Sequence, residues 1–238
     1  MNPSPRRARW STAVQRPIIV QPRPSLRLFV RKETWTLSFP AKLLVLALGL
    51  ILAIGFPLEV YPYLAPTDPI HNGTMIIEGW ISPGFLSQAA AAFDAGRYDR
   101  ILILRQSDED ERYVENSAAC NDPAEILASY GVSKPRIGML LYPKTERDRT
   151  YHAAIAARDW LVRHSTEKSF DVVTAGPHAR RSRMMFKKVF GKDFEVGIIA
   201  LNDPAYDPKH WWRTSEGVRD VIGEVIAYIY AEVRYTWT

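Results

Sequence analysis

Residues 174–188 read TAGPHARRSRMMFKK and gather His178, Arg180, Arg181 and Arg183 into six consecutive positions. Histidine titrates near neutrality, and the planar guanidinium matches carboxylate and phosphate oxygens. The pairing suits anion binding or proton transfer. With residues placed at about 100° intervals on a helix, Ala179, Met185, Phe186, Val189 and Phe190 share one face, with Ser182 near its centre. Arg180 and Lys187 then point away into solvent, while His178 and Arg181 sit together at the edge of the packed face. Gly176 reads as an N-cap and Pro177 as the first helical residue. Free N–H groups and the helix dipole add to the pull on an anion there. Two readings stand for His178 and Arg181: a phosphate or carboxylate site, or a structural ion-pair cluster. Arg183 fits either.

Three other stretches carry chemistry. Glu78 ends the apolar run MII, and Gly79 after it lets a ligand approach the backbone. A carboxylate there suits a general acid/base, a cation ligand or a buried ion pair with an arginine. RDRTYH (147–152) supplies Arg149, Thr150 as a helix N-cap, and His152, which fits surface or site. DPKHWWRTSEG (207–217) supplies Trp211, Trp212, Arg213 and Glu216. Its tryptophans suit closing a crevice, stacking on a ligand, dipping into lipid headgroups or packing under the loop. The chain has no GxGxxG after the first strand, no Walker loop, no G-x-S-x-G and no HExxH. That weakens dinucleotide binding, P-loop hydrolysis and ordinary serine hydrolysis. The residues name no cofactor. Cys120 is the only cysteine, so no intramolecular disulfide forms, and no zinc-type spacing is present.

Five strands must position these residues: 74–80, 100–104, 137–142, 170–175 and 195–201. Helical runs alternate with them, one with Pro83 near its start and Gly96 at its stop, another with Asp122 as N-cap, Pro123 at the first position and Gly131 past the end. A long helix closes the chain from about Ser215 to Tyr235. Its Val218, Val221, Ile222, Val225, Ile226 and Ile229 follow helical spacing and read as the cover of one sheet face. The alternation predicts an α/β fold with a mainly parallel five-stranded Rossmann-like sheet flanked by helices. Ligands in such sheets bind outside the carboxyl ends of the strands. That places Glu78, Gly79, Arg149, Gly176, His178, Arg181, Trp212 and Arg213 at the expected crevice.

The net charge of +5 divides unevenly. Residues 1–42 hold nine Lys and Arg against Glu33 alone, leaving 22 basic and 25 acidic residues for the rest. A nucleic-acid-binding domain shows the opposite distribution, so nucleic acid is not the expected partner. Residues 43–58 run uncharged between Lys42 and Glu59. As helix they reach about 24 Å, short of the roughly 30 Å hydrocarbon core. Extension over 39–63 closes the gap, because Lys42 can snorkel and Tyr61 and Tyr63 suit the interface. The leader is too long for a cleaved signal peptide. The expected organisation is a disordered basic cytoplasmic tail (1–38), an uncleaved signal-anchor (39–63) and an extracytoplasmic domain (64–238).

EGW after the first strand, DRTYHAA, TAGPHARRSRMMF and YDPKHWWRTSEGVRDVIGEVIAYIY carry a resemblance to the YdcF/SanA/ElyC-like family of bacterial envelope proteins, over roughly residues 74–235. His178 and Arg181 fall where that family has its H-x-x-R core. EGW and RQSDED stand where the family has glycine-rich turns, and RTYH where it has a Glu-Asn pair. The resemblance implies a Rossmann-like domain anchored in the inner membrane and facing the periplasm, in cell-envelope and peptidoglycan-related processes. The expected ligand is a small anionic metabolite or a lipid-linked envelope intermediate. The expected catalytic residues are His178 and Glu78, with Arg181, Arg149, Gly79, Gly176, Trp212 and Arg213 binding the anion. If catalytic, the chemistry is phosphoryl or glycosyl-phosphate transfer; the alternative is a non-catalytic scaffold for envelope enzymes.

Overall fold

The structure, a computed structural model, describes residues 36–107 and 122–236. Most of the basic tail, Cys120 and most of the acidic stretch after Gln106 lie outside the described residues. The chain divides into two units, residues 1–43 and 44–238, and the sheet and the site belong to the second.

The strands are β1 (Asn72–Glu78), β2 (Arg97–Ser107), β3 (Ile137–Pro143), β4 (Ser169–Ala175) and β5 (Glu195–Leu201). They form one parallel sheet in the order β3-β2-β1-β4-β5. This is the α/β architecture that the alternating sequence predicts. Met75, Ile77, Ile101, Ile103 and Val173 pack on one face with α2 (Leu86–Ala95) and α3 (Pro123–Ser129). Ile76, Leu102, Leu104, Phe170 and Val172 pack on the other with α4 (Arg149–His164) and α5 (Ala179–Phe190). Both faces are dry, which is why the strands read as continuous apolar runs. The caps of α3 follow the sequence: the Asp122 carboxylate accepts from Ala124 N at 3.0 Å, and Gly131 has a φ of +96°.

Chain direction across the sheet matters most for the site. After β1 the chain moves outward to β2 and β3, then returns to lay β4 on the other side of β1. Connections diverge at the carboxyl ends of β1 and β4, and a crevice opens there.

α1 (Phe39–Leu64) is, among the described residues, the one helix long and apolar enough to cross a membrane. Leu44, Leu46, Leu50, Ile51, Leu52 and Ile54 are each more than half exposed. Its last turns belong to the domain instead, with Val60, Tyr61 and Leu64 buried against Tyr206, Trp211 and Val221. From there the chain descends antiparallel to β5. Ala200 N donates to Thr67 Oγ1 at 3.2 Å, and the Asp68 backbone pairs with Ile198. α1 therefore joins the domain at the carboxyl ends of the strands.

The closing helix, α6 (Ser215–Thr236), departs from expectation. It covers no sheet face, because α2–α3 and α4–α5 already occupy both. Of its predicted apolar stripe, Val221 is buried and Val225 half-buried, whereas Val218, Ile222, Ile226 and Ile229 are exposed.

The descending segment is fastened by Asp171, which is fully buried in β4. Its carboxylate accepts from Ile70 N at 2.9 Å, His71 N at 2.8 Å and the Tyr98 hydroxyl at 2.5 Å. A Cβ on neighbouring Gly197 would overlap that carboxylate. Asp171→Ala leaves these donors unsatisfied and is expected to destabilise the fold by about 3 kcal/mol. Denaturant unfolding of the full chain in mild detergent measures it, and an unchanged midpoint contradicts it.

Candidate functional site

A cavity of about 570 Å³ lies at the carboxyl ends of the strands. Glu78, Gly79 and Trp80 line it after β1, Arg105 and Gln106 at the end of β2, and Tyr142 on β3. Arg149 and Thr150 come from the start of α4, His178 and Arg181 from the β4–α5 junction, and Glu224 and Tyr230 from α6.

His178 is placed by the way β4 ends. The strand passes into a single 3-10 turn, Gly176–His178, before α5 begins at Ala179. The imidazole is 10% exposed, and its Nδ1 lies 2.8 Å from Glu224 Oε1. Arg181 approaches the same carboxylate as a fork, Nε to Oε2 at 2.9 Å and Nη2 to Oε1 at 2.8 Å. Burial opposes ionisation of Glu224, yet hydrogen bonds from His178 and Arg181, with their charges, hold its pKa down to about 2. An ionised carboxylate only accepts and a guanidinium only donates; Glu224 Oε1 and Arg181 Nη2 both stand 2.8 Å from Nδ1, which leaves Nε2 on the side of Thr150 and Glu78. That nitrogen lies 3.4 Å from Thr150 Oγ1 and 3.7 Å from Glu78 Oε2. The edge of Trp80 packs on the ring, with centroids 4.7 Å apart. Glu78 is 2% exposed and accepts from Ser182 Oγ at 2.8 Å.

This is a carboxylate–imidazole pair whose second ring nitrogen stands beside a hydroxyl and a second carboxylate. It can take a proton at Nε2 and hold the resulting imidazolium against Glu224. The charges around it divide into occupied and unoccupied. Glu224 is bonded to His178 and Arg181, Glu78 to Ser182, and Asp148 to the Tyr235 hydroxyl. Burial raises the Tyr142 phenol to about 12; the Glu78 charge adds to the shift and Arg149 opposes it. Arg105 and Arg149 have no ion-pair partner among the described residues, and the buried Gln106 amide nitrogen has no hydrogen-bond partner. Among the described residues no His, Cys, Asp and Glu cluster is arranged to hold a metal ion.

Five of the residues expected at the crevice meet there: Glu78, Gly79, Arg149, His178 and Arg181. Arg181 lines it with its guanidinium committed to Glu224. Gly176 does not line it. It is buried beneath the Tyr61 hydroxyl, where a Cβ has no room, and it opens the 3-10 turn instead of capping α5. Trp212 and Arg213 are also elsewhere, in the 3-10 segment Pro208–Arg213. Trp211 donates to Pro57 O at 2.8 Å and Trp212 packs beside it against the end of α1, so the loop after β5 turns to α1 and not over the cavity. Thr150 is the second residue of α4; the preceding cap position belongs to Asp148, in the left-handed region at φ +55°. Arg180 is half-buried and does not simply point into solvent. Its guanidinium covers the Tyr63 ring at 3.9 Å and donates to the Tyr63 carbonyl. Arg183 pairs with Asp68, while His152 and Glu216 are exposed and line no part of the cavity.

Sequence reasoning missed Glu224, Ser182 as the partner of Glu78, and the Thr150 hydroxyl. Glu224 did carry a signal. It is a carboxylate flanked by Val221, Val225 and Tyr228, one turn after Asp220, on the packed side of an apolar helix. No family model, curated protein or solved structure matches the chain.

Because the folded pKa of Glu224 lies below its ordinary 4.5, its stabilisation is complete above pH 4.5 and is lost as pH falls toward about 2. Wild type is expected to exceed Glu224→Gln in stability at pH 7, with the gap closing across that window. Parallel melting curves from pH 7 to 2 measure it, and a gap independent of pH contradicts it.

Proposed function

We propose that this chain is a single-pass membrane protein whose α/β domain binds an anionic, phosphate-bearing ligand at the carboxyl ends of the sheet, with His178 as its acid/base group. The observation carrying the reading is the division of charge in the cavity. Every carboxylate lining it already has a donor, whereas Arg105 and Arg149 have no ion-pair partner among the described residues. An anion arriving at those guanidiniums enters the cavity that His178 also lines. In phosphoryl or glycosyl-phosphate transfer, His178 would take the proton of the attacking hydroxyl at Nε2, and Glu224 would stabilise the cation formed. Glu78, 3.7 Å from Nε2, stands as the second proton-handling group.

Arg181 takes a different role from the one its position suggests: it orients Glu224, and through it His178. The ligand class extends to lipid-linked intermediates, since α1 joins the domain at the same end of the sheet as the cavity. The resemblance to the YdcF/SanA/ElyC-like family supports a role in bacterial cell-envelope or peptidoglycan biogenesis, with the domain on the periplasmic side of the inner membrane. The arginine-rich leader before α1 supports that orientation. The competing reading is a non-catalytic scaffold, favoured by the closed Glu224–Arg181–His178 cluster.

Arg149 is exposed, so Arg149→Ala is expected to leave the melting temperature unchanged while weakening binding of pyrophosphate or a sugar phosphate about tenfold or more. His178→Asn is expected to retain binding and lose turnover. Unaltered binding in Arg149→Ala, with unaltered complementation of an envelope defect in both variants, supports the scaffold. For topology, a C-terminal alkaline phosphatase fusion is expected to be active, and a stable but inactive fusion contradicts the orientation.

A further inference from the structure

The hydroxyl of Thr150 does not serve its own helix. A threonine at a helix start ordinarily caps a backbone amide or bonds back to the preceding turn. In α4 the cap position belongs to Asp148, and the contact of Thr150 Oγ1 is with His178 Nε2, 3.4 Å away. Thr150 is 9% exposed and lines the cavity. Among the described residues that line it, Thr150 carries the one aliphatic hydroxyl; Ser182 is not among them and is bonded to Glu78.

Across the imidazole, Glu224 Oε1 lies 2.8 Å from Nδ1. Carboxylate, imidazole and hydroxyl therefore follow one another within reach, the order in which a base oriented by a third group activates a nucleophile. A separation of 3.4 Å between base and hydroxyl belongs to the looser range such pairs show before substrate binds. The surroundings also suit charge developing on a phosphoryl group. The hydrogen bonds of α4 begin at His152 N, which donates to Asp148 O at 3.1 Å, and Asp148 gives no side-chain cap. The amides of Arg149, Thr150 and Tyr151 thus have no acceptor within the helix, and all three residues line the cavity.

We infer that Thr150 is the nucleophile of a two-step phosphoryl transfer, with His178 as its base and Glu224 as the partner of that base. This assignment rests on the phosphate-binding role proposed for the cavity and supplies its attacking group. In the first step Thr150 Oγ1 bonds to phosphorus as the bond from phosphorus to the leaving oxygen breaks. The hydroxyl proton passes to His178 Nε2 and from there to the leaving oxygen. In the second step a water gives a proton to Nε2 and attacks the phosphothreonine. The Oγ1–P bond breaks, and the proton returns to Thr150. The ring works with its proton on Nδ1, toward Glu224, and its lone pair on Nε2. Glu78, 3.7 Å from Nε2, favours the imidazolium formed in each step.

An alkyl fluorophosphonate tests the nucleophile on the full chain in mild detergent: Thr150 Oγ1 attacks its phosphorus and fluoride leaves. Mass spectrometry is expected to find the phosphonyl group on the peptide that carries Thr150. Thr150→Ser is expected to keep the label and Thr150→Val to lose it, while His178→Asn slows labelling about a hundredfold or more. In 15N spectra of histidine-labelled chain above neutral pH, a proton on His178 Nδ1 and a bare Nε2 are expected. Absence of label in wild type, label that persists in Thr150→Val, or a neutral ring protonated on Nε2 overturns the inference. The probe is uncharged, so calorimetric binding of pyrophosphate to the same preparation is scored apart. Binding without label removes Thr150 as nucleophile and leaves the anion site. Label without binding removes the phosphate-binding role, and the phosphoryl step with it, but not the activated hydroxyl.

Discussion

One carboxylate organises the functional end of this protein. Glu224 meets His178 Nδ1 at 2.8 Å and takes a two-pronged contact from Arg181, and thereby joins α6 to the beginning of α5. The cluster holds the imidazole in one orientation, with Nε2 toward Thr150 and Glu78. Partial burial strengthens these contacts but makes an unpaired Glu224 costly. The anchoring of α6 and the chemical character of His178 are consequently one property.

The fold was legible because its constraints are local. Strands dry on both faces must read as apolar runs, and proline and glycine at helix ends mark where the chain turns. Ala179, Ser182, Met185, Phe186 and Phe190 pack as their spacing foretold. The site was legible only where a strand end delivers a residue directly, as at Glu78 and His178. Glu224 lies 46 positions from His178 and on a helix whose apolar spacing looked like ordinary cover. Spacing reports that a helix has an apolar side, not which element meets it. Trp212 and Arg213 show the converse: they lie at the correct strand end, but α1 captured the loop.

Arg180 and Arg181 show how little residue type decides by itself. They are adjacent in sequence, and one lies over an aromatic ring of α1 while the other holds a carboxylate. Neither remains available as a free cation. Among the described residues lining the cavity, the guanidiniums without an ion-pair partner belong to Arg105 and Arg149, each delivered singly by a strand end or a helix start. A conspicuous basic run has become architecture, and isolated arginines are left to meet a ligand.

The double character of α1 bears on biogenesis. Val60, Tyr61 and Leu64 lie downstream of the apolar run yet inside the domain, wedged against Trp211 and Val221. Cleavage by a signal peptidase ahead of Ala65 would withdraw these side chains and uncover an aromatic pocket. The end of α1 is part of the domain's own packing, and its removal would release a damaged fold instead of a functional one.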